Sequence, residues 1–264
     1  MEIGVTLFQR THQGVSLTNA GKALYSDAKK MIEYSNLAIA RAKSASYNDN
    51  NIIRMGKSLN TPCDVLINIW PKIRSIYPEL KLSIISFENT TQSVNKMFEN
   101  LGTEIDMYIG LFDSNVLAQR KCKGLRLSEE PLKIAVPYDH RLAQQEILSF
   151  QDLYGEKLML VQRGRFLSYD RLRDEIEKAH PKIEIVDCET IKISVFNECE
   201  NIHSAIVIIE PWKNIHPLFK TIPVNWEYST PFGIVCSKML SLHVEKFLHA
   251  TKQICKLGSS DYFE

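Results

Sequence analysis

The chain has 264 residues, of which 44% are hydrophobic and 24% charged, and its formal net charge is +1. That composition excludes collagen, a disordered chain and a disulfide scaffold. No apolar run reaches the roughly 18 residues a membrane-spanning helix needs.

Near-neutrality hides an uneven distribution. Residues 1–57 carry eight Lys/Arg against four Asp/Glu, and the remainder carries 24 against 27. A basic N-terminal segment fits a polyanion partner. The six cysteines, Cys63, Cys122, Cys188, Cys199, Cys236 and Cys255, lie at least 11 residues apart and form no Cys-x-x-Cys. No metal site and no cofactor is therefore expected. Met1–Arg10 shows no secretory pattern, so the thiols read as reduced and mostly buried, in a cytoplasmic protein without a membrane contact.

In chain order, two short extended pieces flank Gln13-Gly14 and predict a small hairpin. Thr18 can cap a helix that runs to about Ser46, with Gly21 as its only glycine and no proline. Leu24, Ala28, Met31, Ser35, Ala38, Ala42 and Ala45 recur at alternating spacings of four and three, which makes one helix stripe. A hairpin of seventeen residues cannot cover such a helix. A second helix is its natural partner, in a homodimer or homotetramer, with Leu24, Ala28, Met31 and Ala38 in the seam; the alternative is packing onto the body of the same chain.

Tyr47–Asn51 reads as a polar linker. Strands then alternate with helices. Ile52–Gly56, Leu80–Phe87 and Ile105–Leu111 read as strands, with helices at Thr61–Tyr77 and Thr91–Asn100. Leu125–Pro137 adds one or two strands, and a second series follows with strands at Lys157–Val161, Ile183–Val186 and Ser204–Ile209 and helices at Ser168–Ala179 and Glu189–Cys199. Phe232–Cys236 and Leu242–Cys255 close the chain as strand and helix. The rhythm implies an α/β fold with parallel sheets covered on both faces. The expected organisation is a hairpin at 1–17, a long helix at 18–47 and a two-lobed domain at 48–264. Lobe I is expected at 52–111 and 232–256, and lobe II at 112–231. Such lobes make a cleft at the carboxyl ends of their strands, where small molecules bind.

The residues also carry a resemblance. Glu2–Arg10 followed by Gly14-Val15-Ser16-Leu17-Thr18-Asn19-Ala20-Gly21 resembles the LysR-type transcriptional regulators. Pro137–Ala143, Ser149–Leu153 and Ile73–Leu80 resemble further segments of that family, in family order. The resemblance implies a two-lobed, periplasmic-binding-protein-like effector domain behind a linker helix. It makes Glu2–Arg10 the end of a recognition helix and the start of a wing, with the base-reading part of the winged helix-turn-helix before Met1. Arg10, Thr11, His12 and Gln13 become DNA contacts in the intact protein. The expected function is DNA-binding transcription regulation tuned by a small-molecule effector, not enzymatic catalysis. The alternative is a sensing module that never touches DNA.

Two departures stand out. Arg141 replaces a usual proline, and Asn201–Pro211 lacks the glycines the family carries before a late buried strand. For the effector, Ser58, Asn60 and Thr61 open a helix and offer hydroxyls and free N–H groups to an anion. Thr90, beside Asn89 and Thr91, reads equally as a helix cap or a ligand contact. Gln162, Arg163 and Arg165 form a loop that suits an anionic effector or, equally, plain solvent. Lys57 could add charge. His203 reads as a satisfied buried histidine, and Trp70, Trp212 and Trp226 as packing residues. No catalytic motif was found among the familiar nucleophile, phosphate-loop or zinc patterns.

Overall fold

The computed structural model describes residues 4–11, 14–46, 51–58 and 64–263. It divides into two compact units, Met1–Asn50 and Asn51–Glu264.

In the first unit, β1 (Phe8–Thr11) pairs antiparallel with β2 (Gly14–Leu17). The long helix α1 (Asn19–Ser46) follows. Its start is tied to the hairpin, because Thr18 accepts a hydrogen bond from the Gly21 N–H at 3.0 Å and donates to the Thr6 carbonyl at 2.7 Å. Gly21 is required there: a Cβ would stand 2.0 Å from the Leu7 carbonyl oxygen. Gly4–Leu7 is irregular, so the expected end of a recognition helix is not found at residues 4–7. Gly4 has φ +66°, a left-handed conformation that interrupts a right-handed helix. Of the stripe residues, Met31 is 70% exposed and Leu24 39%. Ala38 is exposed and Ala28 half-buried.

In the second unit the chain runs β3 (Ile52–Lys57), α2 (Asp64–Ile76), β4 (Lys81–Ser86), α3 (Thr91–Glu99), β5 (Met107–Leu111), α4 (Ser114–Arg120) and β6 (Cys122–Pro131). It continues with β7 (Lys133–Pro137), β8 (Lys157–Val161), α5 (Leu167–Ala179), β9 (Glu184–Cys188), α6 (Ile193–Asn201), β10 (Ala205–Ile208) and β11 (Phe219–Ile222). It ends with β12 (Ser229–Ser237), α7 (Leu242–Cys255) and β13 (Tyr262–Phe263). One sheet has the order β13-β6-β12-β5-β3-β4, and the other β11-β7-β10-β8-β9.

Both sheets are mixed rather than parallel throughout. β4, β3 and β5 are parallel, as are β10, β8 and β9, while β12, β6, β13, β7 and β11 pair antiparallel. The chain also changes sheets later than expected. β6 is hydrogen-bonded to β12 from Cys122 to Pro131, so the first sheet keeps residues the sequence assigned to lobe II. The outward crossing follows Pro131, and the return comes between Ile222 and Ser229. A strand's sheet is chosen by its hydrogen-bond partner, and no local pattern names that partner.

Strand β5 of the first sheet is buried on both faces. In β5, Met107, Ile109 and Leu111 join the main core, while Tyr108 and Phe112 face a second apolar cluster. That cluster lies with α3 and α4 and includes Met97, Leu101, Leu117 and Val235. Period-two alternation with both faces apolar is what makes β5 read as a continuous hydrophobic run.

Candidate ligand-binding cleft

A cavity of about 340 Å³ opens between the two sheets' lobes. From the first lobe it is lined by Ser58, Phe87, Asn89, Thr90, Phe98, Tyr108 and Arg120. The second lobe contributes Arg163, Gly164, Arg165, Glu189, Thr190, Ile191 and Trp212. A space of this size, with apolar walls and a few polar groups, suits a small organic molecule.

Each polar group has a local cause. Thr90 ends the loop after β4 and caps α3, accepting from the Ser93 N–H at 3.2 Å. Ser58 follows β3 and is buried. Gly164 holds φ +86° in the loop after β8, and its N–H donates to the Asp170 carboxylate at 3.1 Å. Expected as the start of a helix, Glu189–Ile191 is instead loop, because α6 begins at Ile193. That change frees Glu189, Thr190 and Ile191 to face the cavity.

Direct hydrogen bonds join the lobes across the cleft. The Asn89 amide donates to the Ile191 carbonyl at 2.7 Å and to the Thr190 hydroxyl at 3.3 Å. Thr91 donates to the Glu189 carboxylate, which also lies 3.7 Å from Arg165. Asp113 caps α4 through the Val116 N–H at 2.9 Å and accepts from the Leu167 N–H at 2.7 Å.

The expected site residues fare differently. Ser58, Thr90, Arg163 and Arg165 all line the cavity. Gln162 is exposed and does not line it, and neither does Lys57. Asn60, Thr61, His12 and Gln13 lie outside the described residues. Arg163 is already engaged, 2.6 Å from Asp174 and 3.0 Å from Glu177. Arg10 is exposed on β1 and Thr11 closes the same strand. His203, expected buried, is exposed with φ +47°. It occupies a left-handed turn between α6 and β10, a conformation that favours glycine.

Sequence reasoning passed over Phe87, Phe98, Tyr108 and Arg120. The aromatics look like ordinary core. Arg120 sits in α4, a seven-residue helix whose only local signal is the Asp113 cap. Arg120 stacks on Phe98, with its guanidinium carbon 4.8 Å from the ring centroid. Phe98 meets Tyr108 edge-to-face at 5.4 Å. Burial pushes the Tyr108 hydroxyl well above the ordinary tyrosine range, and the nearby Cys122 adds to the rise while Arg120 opposes it.

Burial also pushes the thiols up, Cys122 and Cys199 to about 11 and Cys188 and Cys236 to about 12. Such thiols stay protonated near neutral pH and are poor nucleophiles. Among the described residues, no group of three or more His, Cys, Asp or Glu side chains is placed to hold a metal. Among the same residues, no helix is long and apolar enough to cross a membrane.

No protein-family model matches the chain. An uncharacterised HTH-type transcriptional regulator of Escherichia coli K12, YbhD, is 24% identical over 234 residues, covering 88% of this chain and 68% of its own. Other curated relatives, hydrogen-peroxide-inducible genes activators among them, are matched over about half of their own length. Among solved structures, the LysR-family regulator CbnR has a TM-score of 0.54 at 18% identity and covers 94% of this chain and 85% of its own. The effector-binding domain of QuiR in complex with shikimate has a TM-score of 0.56 at 14% identity, covering 78% and 97%. The fold is that of LysR-type regulators with their periplasmic-binding-protein-like effector domain. The curated relatives it matches are named as transcriptional regulators.

Proposed function

We propose that this chain is the sensing and linker portion of a LysR-type transcriptional regulator. A small molecule binds in the cleft between the lobes and shifts an existing balance between lobe or subunit arrangements. The observation that carries this is the 340 Å³ cavity, bridged by direct hydrogen bonds between two lobes that the chain connects twice. A ligand there exchanges with those bridges, so occupancy and lobe geometry are coupled. The neighbour with shikimate bound in its effector domain supports the same use of the fold.

Ser58, Thr90 and Arg165 are the proposed ligand contacts. Arg163 stands at the rim with its charge already held by two carboxylates. The linker helix pairs with that of a second copy through Leu24, Ala28, Met31 and Ala38, in a dimer or tetramer. Exposed apolar side chains on α1, Met31 and Ile32 among them, support this. Arg10 and its neighbours Thr11, His12 and Gln13 contact DNA phosphate, which positions a protein without reading bases. The protein acts in the cytoplasm and is not an enzyme; its curated relatives are regulators.

Relatives named for induction by hydrogen peroxide raise the question of thiol sensing. The raised values of Cys122, Cys188, Cys199 and Cys236 speak against those four as peroxide sensors.

Two experiments test the proposal. A metabolite screen by thermal shift is expected to find a stabilising compound, since ligand at 100 times its Kd adds about 2.7 kcal/mol. A gel shift with the chain extended upstream by its natural genomic sequence is expected to show promoter binding. Failure of the extended chain to bind DNA sinks the regulator reading and leaves a sensing module.

A further inference from the structure

The arginines of the second lobe that face the cleft are already neutralised. Arg163 holds Asp174 and Glu177, and Arg165 lies against Glu189. Arg120 of the first lobe is different. It lines the cavity and makes no ion pair or hydrogen bond among the described residues. It stacks on the face of Phe98. A partly buried guanidinium on an apolar wall, with no counter-charge beside it, favours an incoming anion.

A second, independent group points the same way. Tyr108 lines the same cavity and is only 6% exposed. Its hydroxyl has no hydrogen-bond partner among the described residues. A phenol that lines a cavity and makes no such bond is placed to serve a ligand atom there. Because burial holds it protonated, it can only donate to an anion. Phe87, Phe98, Met97 and Val116 complete this wall, and none of them carries a polar side-chain group beyond the thioether.

We propose that Arg120 and Tyr108 form the anchor for the effector's carboxylate, with the effector's flat, apolar body lying against Phe87 and Phe98. The guanidinium offers parallel N–H donors that match a carboxylate, and the phenol adds one more. The aromatic wall stacks on a ring and disfavours a small, fully hydrated anion such as inorganic phosphate. The effector class is therefore an aromatic or similarly planar carboxylic acid. This rests on the cavity being a ligand site.

Isothermal titration of the full chain with benzoate, phenylacetate and cinnamate, each beside its uncharged amide, tests the assignment. At least one acid is expected to bind, with its amide at least about tenfold weaker, as a lost charge-assisted contact implies. Arg120→Gln is expected to weaken the acid at least about tenfold, Arg120→Lys to recover part of that loss, and Tyr108→Phe to cost about three- to tenfold. The thermal midpoint of each ligand-free variant shows that it is folded. An amide that binds as well as its acid overturns the anchor, as does an Arg120→Gln variant that binds undiminished. If none of these acids binds while a broad metabolite screen yields another ligand, the effector class is wrong and the sensing function stands. If that screen yields nothing, the sensing function falls with it.

Discussion

The two lobes hold their cleft-facing arginines differently. In the second lobe, three arginines at or beside the cleft loops are paired: Arg163 with Asp174 and Glu177, Arg165 with Glu189, Arg173 with Asp187. In the first lobe Arg54 is locked to a buried aspartate and Arg126 is paired with Asp261, while Arg120 faces the cavity stacked on Phe98, without an ion pair among the described residues. The lesson is that an arginine's availability, not its presence in a loop, decides where an anion can be held. The loop Gln162–Arg165 has two arginines and reads as an anion site, yet both have protein carboxylates beside them. The short helix α4 has one arginine that none of the recognised patterns marks, and it has no ion pair or hydrogen bond among the described residues.

The sharpest way to test the structural half of this contrast is Asp106→Asn. Asp106 is 4% exposed and accepts from Arg54 at 2.8 Å and 3.1 Å and from the Arg54 backbone N–H at 2.7 Å. Removing its charge leaves Arg54 half-buried and unpaired, so a loss of about 3 kcal/mol is expected in urea unfolding. Burial raises the Asp106 carboxyl, but hydrogen bonds from His243 and Arg54 together outweigh it and hold the value below the ordinary one. The wild-type advantage is therefore present above the unfolded aspartate value of about 3.9 and disappears as pH falls through the lower folded value. An Asp106→Asn loss that stays constant from pH 7 down to pH 2 would contradict this.

Asn89→Ala removes the bond to the Ile191 carbonyl, the shortest neutral link between the lobes. A cost of about 1 to 2 kcal/mol is expected. Hydrogen exchange is expected to speed up in the loops 162–166 and 189–192 and to stay unchanged in β3 and β10. Uniform acceleration would mean that the bond supports the whole fold rather than the cleft.

Asp187→Asn probes the second lobe's counterpart of Asp106. Its partner Arg173 is buried and also donates to the Val161 carbonyl at 3.2 Å, but Asp187 itself is exposed. A loss of about 1 kcal/mol is expected, well below that of Asp106→Asn. Equal losses would erase the distinction between the lobes.

The smallest effect belongs to Arg163→Gln. Its pairs sit at the surface, with the Arg163 side chain 49% exposed, so the thermal midpoint is expected not to move measurably. Binding of an aromatic carboxylate is expected to change less than about twofold, against the tenfold expected at Arg120. A larger loss at Arg163 than at Arg120 would return the anion site to the second lobe. Thiol labelling at pH 8 adds an independent check. Cys122, Cys188, Cys199 and Cys236 are expected to react at least about tenfold slower in the native protein than in urea, because buried and protonated thiols are poor nucleophiles.

Sequence alone determined the parts of this protein whose cause is local. The α1 helix, the Thr18 cap with Gly21 behind it, and the strand–helix alternation are written in period and in cap chemistry, and they survive in the structure. Motif spacing carried the family resemblance for the same reason. Tertiary structure alone decided which sheet β6 joins, because strand pairing is a choice of distant partner. It alone exposed His203 in a left-handed turn and turned Glu189–Ile191 into a cleft wall. Above all it sorted the arginines. Whether a guanidinium is paired depends on carboxylates brought near by the fold, such as Asp174 and Glu177 one helix away from Arg163, and an electrostatic balance of that kind has no signature in the order of residues along the chain.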